Sequence, residues 1–361
     1  MKRTSTRLLS VILFILCSFT VGTNICTDIA ERTGLYPQSP VISGNEWAPK
    51  NTIFKSGSQD TLHLHSDELK LVVVNNESYG IESDRNYHRA GYNGISELYL
   101  RNGGEENFFR PDVSGLNFEF IFSGDSTSYG ADLFEPRRAP MQLERLASNK
   151  VQLIQPRTDF WPLHSTITFE LSGNRVDMIY EGIPLENAWD KHGYMGLFFA
   201  SYIFRPQQKG IHFIGRSRSD PDDYPGRWIY HLPPRHGEEA NHRPAGSNWD
   251  PEFDEGFPVS LASGISDLEY IYPFYYGVSG DHVLIMMFEK TDENAEMRFA
   301  QSPTGGGPEN PAWDFLFYNK NPVQGEKFSF RLAMVVKKFE GKEDVIHQYE
   351  KWSGVKVAWS E

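Results

Sequence analysis

The sequence predicts an all-β protein, a large antiparallel β-sandwich with a short C-terminal helix. Apolar and polar residues alternate with a period of two from residue 53 onward, as in strands with one buried face. Clusters of Gly, Asn, Asp and Ser separate the alternating segments and supply turns. A convincing helical period occurs once, near the C-terminus. The three observations together favour stacked sheets over a helical or mixed fold.

Four hairpins are predicted where two alternating segments flank a short turn. They join Thr61–His65 to Leu69–Val74, Met141–Leu146 to Val151–Gln155, Thr166–Leu171 to Arg175–Tyr180, and Tyr270–Tyr276 to Val283–Glu289. Other segments rich in aromatic and β-branched residues predict single strands. These are Leu116–Phe122, Tyr194–Phe204, Gly210–Ile214, Arg227–His231, Met297–Gln301, Trp313–Tyr318 and Lys327–Val336.

The predicted helix runs from Lys342 to Trp352, and Gly354 is its stop signal. Roughly fifteen strands without a fixed repeat argue against a propeller or a solenoid. We therefore expect a single sandwich domain over residues 53–361, preceded by a loosely packed lead-in over residues 23–52.

The first 22 residues have the pattern of a secretory signal. Lys2, Arg3 and Arg7 precede a short apolar run from Leu8 to Phe19, and small residues follow it. The same run also fits an uncleaved anchor. No later stretch reaches the ~18 apolar residues of a membrane-spanning helix. The mature protein is expected to be secreted or periplasmic.

The chain is acidic and has few cysteines. It has 35 Lys and Arg against 48 Asp and Glu, a formal net charge of −13. Together with the lack of a basic stripe, this argues against nucleic acid as a partner. Cys17 leaves with the signal, so Cys26 remains alone, with no role that the sequence indicates. An internal disulfide and a cysteine-ligated zinc are excluded by counting.

Residues 86–94 contain several side chains that could bind a sugar or transfer a proton. His88 can move a proton near neutral pH, and Arg89 can clamp a carboxylate. Tyr92 can stack on a sugar ring or donate a proton. The alternative is a turn whose polar side chains cap the ends of strands.

A second segment, residues 227–243, is rich in cations and histidines. Its density of cations in an acidic protein indicates capture of an anionic group, such as a uronate or a sulfate. Tyr230 and His231 are its candidate acid/base residues. Its candidate substrate-binding residues are Trp228, Arg235, His236 and Arg243. The alternatives are a solvated loop and a metal site, although the histidine spacing matches no common zinc motif.

Further candidates lie on or beside predicted strands. Trp161 can act as a sugar platform and His164 as an acid or base, although both also fit an edge strand. Glu269, Glu289 and Asp314 are candidate carboxylate bases that also fit ordinary surface charges. No Gly-x-Ser-x-Gly elbow and no dinucleotide fingerprint occurs. We predict no cofactor and no metal.

Three segments resemble the galactose mutarotase-like superfamily, whose fold is called the β-supersandwich. They are residues 174–182, a long central strand pair, residues 297–307, a strand running into a loop, and residues 328–337, a closing strand before a helix. The resemblance covers about residues 53–353 and implies a carbohydrate-active or sugar-binding protein. Aldose 1-epimerases carry a catalytic histidine near the string that resembles residues 199–203, and this sequence has none there. The resemblance therefore does not imply mutarotation by the usual pair.

The sequence thus predicts an exported protein that acts on an acidic poly- or oligosaccharide by acid/base chemistry, of the lyase, dehydratase or epimerase type. One alternative is a non-catalytic carbohydrate-binding protein that uses Trp161, Trp228 and Trp249. Another is a glycoside hydrolase, which needs two carboxylates ~5–9.5 Å apart. The sequence indicates no oligomeric state.

Overall fold

The structure of the protein is a computed structural model. It describes residues 60–76, 92–101, 107–110, 115–126, 133–220 and 225–360. The predicted signal, the lead-in segment, His88 and Arg89 lie outside the described residues. Predictions that concern them therefore stay predictions.

The described residues form eighteen strands and three helices. The strands are β1 Thr61–His65, β2 Leu69–Val74, β3 Gly94–Leu100, β4 Leu116–Phe122, β5 Gln142–Ala147, β6 Lys150–Gln155, β7 Leu163–Ser172, β8 Arg175–Pro184, β9 Met195–Ser201, β10 Ile211–Ser217, β11 Arg227–His231, β12 Asn241–Pro244, β13 Ile265–Tyr270, β14 Phe274–Ser279, β15 His282–Phe288, β16 Ala295–Ser302, β17 Ala312–Asn319 and β18 Phe328–Lys338. The helices are α1 Glu135–Arg138, α2 Ser260–Ser263 and α3 Lys342–Ser353.

All the strands belong to one continuous sheet that folds into two layers. The front layer runs in the order β1-β2-β3-β4-β9-β17-β16-β12-β13, and every pair in it is antiparallel except β12 with β13. The back layer runs β10-β14-β15-β18-β8-β7-β6-β5, and β11 pairs with β10. β10 also pairs with β13 and so joins the two layers.

The main core lies between the layers and is dominated by aromatic rings. Phe118 of the front layer packs edge-on against Tyr180 of the back layer at 5.6 Å. Phe299 and Phe288 meet across the layers at the same 5.6 Å separation. The inner faces of both layers are therefore packed, as in a two-layer sandwich. The predicted fold class is confirmed.

Two smaller cores cover the outer faces of the sandwich. On the back layer, α3 packs Val345, Ile346 and Tyr349 onto apolar residues of β14, β15 and β18. On the front layer, the segment of residues 245–264 packs onto β9, β16 and β17. The outer face of the front layer is thus partly covered by a long connection rather than by a long helix.

The predicted helix is confirmed to within one residue. The helix ends at Ser353, and the next residue, Gly354, has a φ of 73°. The backbone N–H of Gly354 donates a hydrogen bond to the carbonyl of Glu350. A glycine is favoured there because the left-handed conformation strains other residues. Within the described residues, no helix has the length and apolarity needed to cross a membrane.

The predicted hairpins occur, with one correction. The segment Tyr270–Tyr276 was expected to be one strand, but β13 ends at Tyr270 and β14 begins at Phe274. Pro273 lies in the break, and a proline has no N–H to donate to a neighbouring strand. The chain passes there from the front layer to the back layer.

Candidate functional site

The outer face of the front layer carries a row of charged residues where β12 and β13 meet β10. Arg243 of β12 pairs in register with Glu269 of β13, and Glu269 pairs with Arg216 of β10. The Glu269 carboxylate lies 3.5 Å from Nε of Arg216 and 3.5 Å from Nε of Arg218. Arginine side chains are therefore concentrated at the junction of the two layers.

An open pocket of about 630 Å³ lies over this row. We call it the arginine pocket and define it by its lining residues, Arg218, Ser219, Arg243, Asp250, Ile265, Ser266 and Asp267. The side chain of Arg218 is 41% exposed, whereas that of Arg243 is only 1% exposed. The pocket therefore offers one accessible guanidinium at its side and one buried guanidinium beneath it.

The buried guanidinium of Arg243 has spare hydrogen-bonding capacity. Its Nη2 lies 2.5 Å from Oδ1 of Asp250. Its Nε and Nη1 have no hydrogen-bond partner among the described residues. The neighbouring Arg298 of β16 has an unpartnered Nη1 as well, also buried. Because a buried donor without a partner is costly, these groups favour an oxyanion nearby.

Hydroxyl groups and a carboxylate line the other wall of the arginine pocket. The Oδ2 atom of Asp267 accepts hydrogen bonds from the hydroxyls of Ser217 and Ser219, the latter at 3.0 Å. Ser266, the second residue of β13, also lines the arginine pocket. Such groups can donate to and accept from the hydroxyls of a sugar ring.

A second polar cluster is buried under α1 on the same face. Arg137 forms an ion pair with Glu119 of β4 at 2.8 Å, and both side chains are almost fully buried. Its Nε donates to Asn117 at 2.7 Å and its Nη2 to the Tyr202 hydroxyl at 2.9 Å. The ring of Tyr92 lies 4.3 Å from the guanidinium carbon. Tyr92, a predicted substrate-binding residue, thus stacks on a buried ion pair.

Asp314 of β17 belongs to the electrostatic environment of this cluster. Burial raises the pKa of its carboxyl group well above the usual value. The N–H of Ser201 donates to Oδ1 at 2.7 Å and opposes this rise, while the charge of Glu119 adds to it. The Asp314 carboxyl group therefore keeps its proton to a higher pH than an exposed aspartate does.

The raised pKa of Asp314 predicts a particular pH dependence of stability. In the unfolded chain an aspartate titrates near pH ~3.9. Above that pH the unfolded chain releases a proton that the folded protein keeps, so the free energy of unfolding falls as pH rises toward the folded pKa, by up to ~1.4 kcal/mol per pH unit. An asparagine side chain cannot titrate, so Asp314→Asn should gain stability relative to the wild type as pH rises. Urea unfolding from about pH 4.5 to 8 checks this, and a pH-independent difference would contradict it.

Three histidines of the cation-rich segment, for which a metal site was one alternative, lie at the end of β11, in the loop after it and in β12. The amide Nε2 of Gln301 contacts Nδ1 of His231 at 3.0 Å and Nε2 of His242 at 2.8 Å. Burial lowers the pKa of both imidazoles, and Glu239 opposes this for His231. His236 instead contacts the Ser302 hydroxyl at 2.9 Å. Both His231 and His242 are therefore neutral at pH 7, and His242 is enclosed.

Tyr230 and Trp228 point away from His231, because successive residues of a strand face opposite sides. Tyr230 packs on His212 at 4.8 Å. Trp228 packs edge-on against Tyr276 at 5.3 Å and belongs to the core under α3. The structure thus separates these two residues from the outer face of the front layer.

The remaining predicted residues are dispersed. Trp161 is buried and stacks on Trp189 at 5.7 Å. His164 lies on β7 in the back layer, and burial lowers its pKa. Arg235 pairs with Glu238 on a loop. Glu289 follows β15, where its N–H donates to the Arg331 carbonyl at 2.9 Å.

Of the predicted site residues that the structure describes, Arg243 is the one that lines the arginine pocket. Arg218 lies outside the predicted segment of residues 227–243, and neither Arg218 nor Asp267 was a predicted site residue. Glu119 and Arg137 were missed. In the described part of the chain, no group of three or more His, Cys, Asp or Glu side chains is placed to hold a metal ion.

Comparisons with known proteins give matches at the level of structure. No family model matches the sequence, and no curated protein matches it. A galactose mutarotase-related enzyme from Lactobacillus acidophilus has 8% identity and a TM-score of 0.42 over 77% of this chain and 97% of its own. A galactose mutarotase-like protein from Lactobacillus casei has 9% identity and a TM-score of 0.44 over 77% of this chain and 100% of its own.

A third similar structure is a heparan sulfate lyase from Pedobacter heparinus. It has 10% identity and a TM-score of 0.37, and the match covers 81% of this chain but 37% of the lyase. Two of the three structures carry the name of the superfamily that the sequence resembles. Because one fold hosts many functions, a similar fold does not determine the function of this chain.

Proposed function

We propose that the protein is an exported carbohydrate-active protein that binds an acidic saccharide in the arginine pocket. The observation that carries the proposal is the buried Arg243 with unpartnered donors beneath an open pocket that also holds the accessible Arg218. Carboxylates and sulfates are the groups that a guanidinium binds with charge-assisted hydrogen bonds. The Ser219, Ser266 and Asp267 wall supplies partners for sugar hydroxyls. Export rests on the signal pattern of residues 1–22.

The chemistry that we propose is acid/base, of the lyase, dehydratase or epimerase type. A guanidinium that neutralises a sugar carboxylate makes the adjacent ring proton easier to remove. Asp267 is the candidate for proton transfer in the arginine pocket, because the two serine hydroxyls fix its carboxylate.

One observation favours a second candidate function, a carbohydrate-binding protein without catalysis. Among the described residues, no histidine or tyrosine lines the arginine pocket. Incubation with acidic oligosaccharides, followed by mass spectrometry for elimination products and by NMR for epimers of equal mass, separates the two functions. New products support an enzyme, and unchanged saccharide that is nevertheless bound supports the binding protein.

Replacing Arg218 tests the proposed site. Arg218→Ala should weaken binding of a sulfated or uronate-containing oligosaccharide by ~10-fold or more, because a hydrogen bond to a charged group contributes ~1.5–3 kcal/mol. Isothermal titration calorimetry at low salt measures the change, with a neutral oligosaccharide of the same length as a reference ligand.

Arg157 provides a matched control for this experiment. Its side chain is 44% exposed, close to that of Arg218, and it pairs with Glu186 at 2.7 Å outside the arginine pocket. Arg157→Ala should leave the affinity unchanged. Equal losses in both variants, or equal affinity for the neutral oligosaccharide, would show that the arginine pocket does not recognise the anion.

A further inference from the structure

We propose that Asp250 is an internal competitor that occupies the position of the ligand's oxyanion on Arg243 and so sets which ligands enter the arginine pocket. The inference rests on the proposed function and concerns the same site. Its ligand class is a sugar that carries an oxyanion, either a sulfate ester or a carboxylate.

Asp250 lies on the solvent side of two buried arginines, Arg243 and Arg298. Its Oδ1 lies 2.5 Å from Nη2 of Arg243 and 3.9 Å from Nη2 of Arg298. The Asp250 side chain is 48% exposed, while those of Arg243 and Arg298 are 1% and 0% exposed. A ligand that enters from solvent therefore meets the Asp250 carboxylate before it reaches either guanidinium.

Asp250 and Glu296 together leave several N–H donors of Arg243 and Arg298 without a partner among the described residues. Glu296 accepts from Nε of Arg298 at 2.7 Å, and its other oxygen lies 3.2 Å from Lys320. Arg298 Nη1 and the Nε and Nη1 atoms of Arg243 still have no partner among the described residues. An oxyanion with more acceptor atoms than one aspartate oxygen can satisfy more of these donors. A sulfate, which has more acceptor oxygens than a carboxylate, is therefore a better partner than Asp250 alone, and a ligand carboxylate is an equivalent one.

The Asp250 side chain can move away from Arg243 while the backbone on either side of it stays in place. The neighbouring Trp249 is held independently, because its carbonyl accepts from Arg298 at 2.9 Å and its ring packs on Tyr318 at 5.1 Å. Further along, Asp254 is held by Lys191 and by His192 at 3.2 Å. Rotation of the half-exposed Asp250 side chain is thus sufficient to release Arg243.

The test compares Asp250→Asn with the wild type in the full chain. The probes are inorganic sulfate, a sulfated oligosaccharide and a uronate oligosaccharide, each titrated by calorimetry. Removal of the competing charge should tighten binding of inorganic sulfate by ~10-fold or more and should tighten at least one of the two oligosaccharides similarly. The two oligosaccharides show whether the natural oxyanion is a sulfate ester or a carboxylate.

Glu255→Gln is the matched control, since it removes one exposed charge from the same segment outside the arginine pocket. It should leave the affinity unchanged. A second variant, Asp250→Ser, should repeat the gain if Asp250→Asn fails to fold. Equal or weaker binding of sulfate by both Asp250 variants overturns the inference, as does the same gain in Glu255→Gln. Tighter sulfate binding without any saccharide binding would refute the proposed function and the sugar as ligand class, and would leave only the competition between Asp250 and an oxyanion for Arg243.

Discussion

Replacing Arg137 with methionine should lower the free energy of unfolding by about 3–5 kcal/mol, because it leaves the buried Glu119 carboxylate without its cation. The variant also removes the hydrogen bonds that Arg137 donates to Asn117 and Tyr202. Methionine keeps much of the length of the side chain, so the loss reports mainly on charge and hydrogen bonding. Urea unfolding monitored by tryptophan fluorescence gives the value.

The double variant Glu119→Gln, Arg137→Met separates charge from packing. If the unpaired charge dominates the loss, removal of the carboxylate should recover much of the stability, as in other buried pairs where both partners are replaced. The next residue, Arg138, is a suitable control because it belongs to the same short helix and is less buried. A loss of less than about 1 kcal/mol in Arg137→Met would show that the pair is solvated.

The hairpins could be predicted from the sequence because local chemistry determines them. Ser172-Gly173-Asn174 lies between two alternating segments, and Gly173 takes a φ of 59° in the turn. The register of β7 with β8 then follows from the turn. A hairpin of this kind can therefore be predicted from its own residues, without the rest of the chain.

The layer to which a strand belongs could not be predicted in the same way. β10 pairs with strands of both layers, whereas β11 pairs with β10 and makes a single bridge from Arg227 to Ser360. The side of β11 that faces a core therefore depends on how the sheet folds over itself. The opposite orientations of Tyr230 and His231 follow from strand alternation alone, but the layer that each of them faces does not.

The buried carboxyl groups carry a sequence signal that is easy to overlook. Glu119 lies within Asn117-Phe118-Glu119-Phe120, and Asp314 lies between Trp313 and Phe315. A single acid inside a run of aromatic residues indicates a buried carboxyl group, which is either paired with a cation or kept protonated. Asp314 was a candidate on other grounds. The partner Arg137 lies in a short helix further along the chain, so the sequence could not supply it.

Phe199→Ala should produce the other large loss, about 3–5 kcal/mol of unfolding free energy, because Phe199 lies at the centre of the core between the layers. Its ring stacks on Phe118 at 4.8 Å and on Phe315 at 4.9 Å within the front layer. It also packs edge-on against Phe330 of the back layer at 5.7 Å. Alanine would leave a cavity that faces both layers and that rigid aromatic neighbours cannot fill.

The matched control for this variant is Phe204→Ala, five residues further along the same chain segment. Phe204 is an exposed large apolar residue, so its truncation should change the free energy of unfolding by less than about 0.5 kcal/mol. If the two layers are packed face to face, Phe199→Ala should also lower the unfolding midpoint of the whole sandwich in one cooperative transition. Equal losses in the two variants, or a local transition confined to the front layer, would mean that Phe199 does not join the layers.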